Sequence, residues 1–144
     1  MKKTANTMIA LLVLVGSMAV AAQAQTSGRA QVRVSIPFQF QVGNATMAAG
    51  EYTIQQLDAN SAALRISSKS GANAIVNMIG AMSGTQSMSK VAFRRYGNQY
   101  YFAEVWIDGE KDGLQAPKSK AERATQKELA ALNVKMETVT QKLR

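Results

Sequence analysis

The sequence predicts an all-β domain, a small antiparallel sandwich or a partly open barrel of about six strands, with a C-terminal amphipathic helix. Apolar and polar residues alternate from Gln31 to Val42. Clusters of turn residues then divide the chain into segments of strand length as far as residue 107. After Pro117 there is no glycine and no further proline, and the apolar residues take a helical spacing. We expect the β domain at residues 30–108, a linker at 109–117 and the helix at 118–144.

The first strand is predicted over residues 31–42, where every second side chain is apolar. One face carries Val32, Val34, Ile36, Phe38, Phe40 and Val42. Alternation of this kind is typical of a strand that is buried on one face. Because Pro37 has no N–H to give to a neighbouring strand, we expect this strand at the edge of its sheet or with a bulge at Pro37.

The other strands are predicted from apolar segments that end at turn residues. These segments are 51–57, 62–67, 73–79, 90–96 and 99–107. Asp, Asn, Ser and Gly dominate residues 58–61 and 68–71, which are predicted as turns. Residues 80–89 are rich in Gly, Ser and Met, and we expect them to form a loop.

The last two predicted strands form a hairpin, because Gly97-Asn98 is a strong signal for a two-residue turn. A hairpin that turns there places Phe93 opposite Phe102 and Arg95 opposite Tyr100. Aromatic side chains that face each other across two strands pack well in a sheet core. We therefore expect the apolar face of this hairpin to belong to the core.

Glu104 lies between Phe102 and Trp106 on the predicted core face of that hairpin. A buried carboxylate needs a hydrogen-bonded or charged partner. Our hypothesis is a structural ion pair between Glu104 and Arg95. A different strand register would offer Arg94 or Arg65 instead.

The same hairpin supplies the candidate ligand-binding residues, which are the rings of Tyr96, Tyr100, Tyr101 and Trp106. If these rings line an open groove, they could stack against a sugar or a peptide. If they are buried, they are core residues, and this is the interpretation that we favour.

The C-terminal helix is predicted to start at Pro117, a favourable first residue. A narrow apolar seam at spacings of three and four is formed by Leu129, Leu132, Met136, Val139 and Leu143. Between Lys118 and Arg144 there are seven basic and three acidic side chains. We expect the seam either to pack on the domain or to mediate self-association, and the basic faces to meet an anionic envelope surface.

The N-terminus has the three parts of a secretory signal peptide over residues 1–24. Lys2 and Lys3 precede an apolar segment, and small residues at Ala22 and Ala24 precede an expected cleavage before Gln25. Without the two lysines the formal net charge falls from +8 to +6. We expect an exported protein of the periplasm or the extracellular space, without disulfides because the chain has no Cys.

The composition argues against most enzymes. The chain has no His and no Cys, which removes the commonest general base, the thiolate nucleophile and most zinc sites. No nucleic-acid partner and no cofactor is expected. The spacing of Asp108, Glu110 and Asp112 copies part of a calcium loop, but Ser119 stands where the closing Glu should be. We expect an acidic turn there and no metal.

Two segments resemble a family of small exported proteins of soil bacteria such as the Acidobacteria. The first is IPFQFQVGNATMAAGEYTI (36–54), which is similar to that family's I-P-F-x-F-x-V-G and A-G-E-Y-T motifs. The second is FRRYGNQYYFAEVW (93–106), followed by PKSKAER (117–123). The resemblance implies an exported β-rich protein with a basic helical tail, and no activity, cofactor or site residue.

Taken together, these patterns predict a non-catalytic, exported structural or interaction protein of the envelope. The alternative is a carbohydrate- or peptide-binding module that uses the Tyr and Trp rings. An enzyme that works through carboxylates is the third hypothesis, and two carboxylates facing each other in a pocket would favour it.

Overall fold

A computed structural model describes residues 31–58, 60–84, 88–108 and 112–144. Eleven strands and one helix lie within these ranges. The strands are β1 (Gln31–Ile36), β2 (Phe40–Val42), β3 (Ala45–Met47), β4 (Gly50–Gln56), β5 (Ala63–Ser68), β6 (Asn73–Asn77), β7 (Ile79–Ser83), β8 (Lys90–Tyr96), β9 (Gln99–Trp106), β10 (Asp112–Gln115) and β11 (Met136–Lys142). The helix, α1, spans Lys120–Ala130.

The strands form two sheets, and this confirms the predicted all-β class. The smaller sheet has the order β1-β4-β5-β6, and the larger has the order β11-β8-β9-β10-β7, with β2 and β3 attached to it beside β9. Nearly all pairings are antiparallel, and the one parallel contact joins Gln41 of β2 to Tyr101 of β9. An isolated bridge between Val34 and Leu143 connects the two sheets along one side. On the opposite side β6 ends the smaller sheet.

The first predicted strand is divided at Pro37. β1 belongs to the smaller sheet and β2 to the larger one, so the chain changes sheets between residues 36 and 40. Val34, Ile36, Phe40 and Val42 are all buried in the core between the sheets. β1 lies at the end of its sheet, as the proline predicts.

The β8–β9 hairpin confirms the predicted turn and the predicted pairs. Phe93 lies opposite Phe102, and Arg95 lies opposite Tyr100. A bulge between Ala92 and Phe93 then shifts the register, so that Ala92 lies opposite Glu104. The prediction that Phe102 and Glu104 share a face is therefore wrong, because the extra residue in β9 reverses the side-chain alternation.

β8 lies near the middle of the larger sheet and is buried on both faces. Val91 and Phe93 point into the core between the sheets. Ala92, Arg94 and Tyr96 are buried on the opposite face, where Arg94 and Tyr96 contact Glu122 of α1. The molecule thus has three layers: the smaller sheet, the larger sheet and the helix.

Two segments that were predicted as loops pair with each other instead. β10 lies inside the predicted linker 109–117, and β7 begins at Ile79, one residue before the predicted loop 80–89, and continues into that loop. The two strands form an antiparallel pair. The glycines in these segments suggested turns. Gly113, however, is a strand residue on which a Cβ would lie only 2.5 Å from the Trp106 ring. This position has no room for a side chain, and that explains the glycine.

The predicted helix 118–144 is too long, because α1 ends at Ala130. Asn133 takes a left-handed conformation with φ 58°. The N–H of Val134 donates to the carbonyl of Leu129, and the N–H of Asn133 donates to that of Ala130. These are the two hydrogen bonds of a Schellman motif, a common helix terminator. Within the described ranges, no helix has the length and apolar character needed to cross a membrane.

The predicted helical seam is wrong for the same reason. Leu129 lies on α1, Leu132 lies in the turn, and Met136 and Val139 lie on β11. Leu143 follows β11 and is buried against the core. Leu132 is 68% exposed and Met136 is 45% exposed, so these residues do not form one apolar stripe. The β-branched residues 138–140 favour a strand, and β11 pairs with β8 along its whole length.

Candidate functional site

A buried ion pair joins the larger sheet to the helix. Arg94 of β8 donates from Nε to Oε1 of Glu122 at 2.5 Å and from Nη2 to Oε2 at 3.0 Å. The Tyr96 hydroxyl donates to Oε1 of the same carboxylate at 3.0 Å. Relative exposure is 7% for Arg94 and 1% for both Tyr96 and Glu122. We refer to these three residues as the clamp.

The helix start positions the clamp carboxylate. Ser119 caps α1 by accepting a hydrogen bond from the N–H of Glu122 at 3.0 Å. The spacing Ser-x-x-Glu is typical of a capping box, in which the Glu would return to the backbone N–H of the cap. Here the Glu122 side chain reaches Arg94 instead. A carboxylate in the first turn also interacts favourably with the helix dipole.

The rest of the helix–sheet contact is a polar network beside the clamp. The hydroxyls of Tyr101 and Thr125 are hydrogen-bonded at 2.7 Å, and the Tyr101 hydroxyl donates to Oε1 of Gln99 at 2.9 Å. Among the described residues every buried side-chain nitrogen or oxygen has a hydrogen-bond partner. Buried groups that are satisfied in this way favour one well-defined structure.

The clamp raises the pKa of Tyr96 to about 12. Burial is the main cause, because it disfavours the charged phenolate. The adjacent Glu122 carboxylate adds to the shift by repelling the phenolate and by accepting the phenol hydrogen bond. Tyr96 is therefore a neutral hydrogen-bond donor at neutral pH.

The raised pKa of Tyr96 predicts a loss of stability at high pH. An unfolded Tyr titrates near pH ~10, so the folded state holds this proton more tightly than the unfolded state. The resulting stabilisation is complete below pH ~10 and is lost as the pH rises towards 12. We expect the free energy of unfolding in urea to fall more steeply over this window in the natural chain than in Tyr96→Phe. Parallel pH profiles would contradict the assignment.

The rings that sequence analysis singled out for binding are largely inside the fold. Tyr96 is 1%, Tyr101 is 2% and Trp106 is 5% exposed. Tyr100 is half-buried and stacks on Phe38, with ring centroids 3.9 Å apart. These rings do not line an open groove, so the stacking-platform hypothesis loses its basis and the core interpretation accounts for them.

Glu104 and Arg95 do not form the predicted ion pair, and each makes other contacts. Glu104 accepts a hydrogen bond from the indole N–H of Trp106 at 2.9 Å. Arg95 lies 3.6 Å from the Glu137 carboxylate at the surface, and its Nε donates to the Gly97 carbonyl. The hypothesis is wrong because the β-bulge turns the Glu104 side chain away from the core. Outside the core this carboxylate needs no buried cation. The buried arginine is Arg94, which was one of the two alternative partners predicted for Glu104. Its partner in the structure is Glu122.

The calcium hypothesis concerns residues 108–112, of which Glu110 lies outside the described residues. Asp108 and Asp112 are exposed, and Asp112 begins β10 opposite Ser83. No group of three His, Cys, Asp or Glu side chains that could hold a metal occurs in the part of the chain that the structure describes. The predicted signal peptide, residues 1–24, likewise lies outside the described residues.

A cleft of about 220 Å³ lies beside the clamp, between β6 and the start of the helix. It is lined by residues 75–77 of β6 and, from other elements, by residues that include Gln41, Tyr101, Pro117, Ser119 and Glu122. Pockets that bury a small ligand usually measure about 300–1,000 Å³. The cleft is smaller than that, and its most distinctive feature is the strand edge that forms its wall.

The role of Glu122 was not predicted, although its Ser-x-x-Glu spacing marks a helix start. Its partner Arg94 carries no local signal, because the two residues lie 28 positions apart and meet only in the folded chain. Comparison with protein-family models, curated proteins and solved structures gives no match.

Proposed function

We propose that this chain is a non-catalytic, exported protein of the cell envelope that binds an anionic surface through helix α1. The observation that carries the proposal is the charge that α1 presents. Lys120, Arg123 and Lys127 are all exposed, and their spacing of three and four places them on one side of the helix. Lys118, just before the helix, is exposed as well.

The clamp makes this surface more positive than the sequence alone suggests. α1 contains two carboxylates, but Glu122 is buried and paired with Arg94. Only Glu128 remains at the surface to offset the helix cations. Cations near an anionic membrane each contribute about 1 kcal/mol to binding. Three cations in one row can therefore hold a small domain at such a surface.

Two further considerations support export and the absence of catalysis. The N-terminal residues have the pattern of a signal peptide, and the resemblance to exported proteins of soil bacteria agrees with it. Among the described residues the buried polar groups have hydrogen-bond partners, and this agrees with a structural scaffold. The carbohydrate- or peptide-binding alternative relied on rings that are now accounted for as core.

The test is salt-dependent binding to lipid vesicles. The chain is produced with its own N-terminus in a Gram-negative host, where we expect it in the periplasm or the medium beginning at Gln25. The purified chain is then sedimented with vesicles of phosphatidylglycerol and phosphatidylcholine, or of phosphatidylcholine alone. We expect binding to the anionic vesicles only, weakening as salt is added.

The matched variants carry the same change in charge at two places. Lys120→Gln, Arg123→Gln and Lys127→Gln together should weaken binding at least about tenfold. Arg33→Gln, Arg65→Gln and Lys69→Gln remove three exposed cations on or beside the smaller sheet and should change binding much less. Equal effects would show that net charge alone is responsible. Retention of the uncleaved chain in the cytoplasm would contradict export.

A further inference from the structure

The outer edge of β6 offers backbone hydrogen-bonding groups that no other described strand uses. β6 pairs with β5 on one side and ends the smaller sheet on the other. The N–H of Met78 donates to the carbonyl of Ala62, and the N–H of Ser68 donates to that of Ala72. In an antiparallel ladder these groups alternate, so Ala74 and Val76 bond to β5 while residues 73, 75 and 77 point outwards.

The sequence of β6 is symmetric about its centre. It reads Asn-Ala-Ile-Val-Asn, with Ile75 in the middle, an apolar inward residue on each side of it and an Asn at each end. Ala74 and Val76 are buried, whereas Ile75 is 56% exposed. A strand that pairs with a copy of itself about a two-fold axis needs this kind of self-complementarity.

β6 also lacks the features that usually protect a free strand edge, which are charges, prolines and bulges. No charged residue or proline occurs between residues 73 and 77, and the β5–β6 register is regular. Two other edges, β1 and β11, differ from it. β1 is bonded near its middle to the end of the chain through Arg33 and Arg144, and β11 carries Glu137 and Lys142.

We propose that two copies of this chain associate through β6, antiparallel and with the two-fold axis at Ile75. The two four-stranded sheets would then join into one continuous sheet across the interface. Residues 73, 75 and 77 of one copy would lie opposite residues 77, 75 and 73 of the other. Each of these three pairs exchanges two backbone hydrogen bonds.

The side chains fit this arrangement on both faces. On the outer face Ile75 packs against its copy, and Asn73 lies beside Asn77 of the second copy, where their amides can hydrogen-bond to each other. On the inner face Ala74 lies beside Val76 of the second copy and extends the apolar core. The exposed isoleucine thereby leaves the solvent.

The positive charge of the chain does not prevent this contact. The nearest cation on the sheet is Arg65, which lies opposite Ile75 on β5. Three strand spacings of about 4.8 Å would separate the two copies of Arg65 by roughly 14 Å. The Debye length at physiological salt is about 8 Å, so their repulsion is largely screened.

A cysteine cross-link tests the geometry directly. The chain has no Cys, so a single substitution gives an unambiguous product. In the proposed dimer Ile75→Cys places two thiols opposite each other, with Cα atoms about 5.5 Å apart, a separation that a disulfide can span. We expect mild oxidation to convert most of this variant into a covalent dimer. Ile79→Cys, at a residue that is 52% exposed, should give little dimer.

The oligomeric state of the natural chain is the second measurement. A five-residue strand contact is smaller than a standard interface of about 1,600 Å², so the dimer should dissociate on dilution. Sedimentation equilibrium should show the apparent mass rising towards twice that of the chain between about 10 µM and 1 mM. Ile75→Lys should remain a monomer throughout. Ile79→Lys and Leu132→Lys should behave as the natural chain.

A monomer at every concentration would overturn the proposal. So would a dimer that persists in Ile75→Lys, or one that Leu132→Lys dissociates, because the contact would then lie elsewhere. Binding of an unrelated extended peptide at β6 without self-association would assign the edge to a different partner. The proposal does not depend on vesicle binding, and each can fail while the other holds.

Discussion

Glu122→Ala is expected to destabilise the protein by about 3–5 kcal/mol, because it leaves the Arg94 guanidinium buried without a counter-charge. Arg94 is 7% exposed, and its other hydrogen bond is to the Ala116 carbonyl at 3.2 Å. That bond cannot replace a carboxylate that accepts two guanidinium hydrogen bonds. The melting temperature should fall by about 10–20 °C. Thermal unfolding followed by circular dichroism measures both quantities.

Two further variants distinguish the clamp from an ordinary surface ion pair. Glu137→Ala removes the exposed partner of Arg95, at 3.6 Å, and should cost no more than about 1 kcal/mol. Replacing both clamp charges, as Arg94→Met with Glu122→Leu, should recover much of the stability lost in Glu122→Ala, since an apolar pair leaves no unpaired buried charge. If Glu122→Ala cost as little as Glu137→Ala, the clamp would not stabilise the fold.

The short-range features of this fold could be predicted from the sequence. The Gly97-Asn98 turn fixes the pairing of Phe93 with Phe102, because a two-residue turn leaves only one register for the strands beside it. Pro37 divides the predicted first strand into β1 and β2, because proline cannot donate to a neighbouring strand. In both cases the determining residues lie within a few positions of the structure that they determine.

The clamp could not be predicted, because it depends on which face of β8 the helix covers. The bulge at Ala92 is invisible in the alternation of the sequence, yet it decides that Phe102 enters the core and Glu104 does not. The predicted carboxylate was Glu104 of the hairpin, with Arg95, Arg94 or Arg65 as its partner, whereas the buried pair in the structure is Arg94 with Glu122. The true carboxylate comes from a helix that begins after β10.

The C-terminal segment shows why a helical spacing can mislead. Apolar residues at spacings of three and four over barely two heptads also occur by chance in a turn followed by a strand. Asn133 was the local signal against a continuous helix, because Asn adopts the left-handed conformation more readily than other non-glycine residues. The anionic-surface proposal survives this correction, since its cations lie on the part that is helical. Self-association through an apolar helical seam does not.

Two neighbouring proline substitutions in β11 should have very different effects. The N–H of Leu143 donates to the carbonyl of Ser89, so in the same ladder the N–H of Val139 points towards Phe93. The N–H of Thr140 points away from β8. Val139→Pro removes a hydrogen bond inside the sheet and places a ring against β8, and we expect a loss of about 3 kcal/mol or more.

Thr140→Pro is the matched control, because a proline whose ring faces outwards is tolerated on an edge strand. Apart from the effect of losing the threonine side chain, Thr140→Pro should lower the free energy of unfolding by less than about 1 kcal/mol. A continuous helix through residue 142 would give a different result, since proline at either interior position would cost about 3 kcal/mol. Urea unfolding of the two variants therefore distinguishes the strand from the helix. Equal and large losses would mean that this segment is not the edge strand on which the clamp, the helix turn and the bridge to β1 all depend.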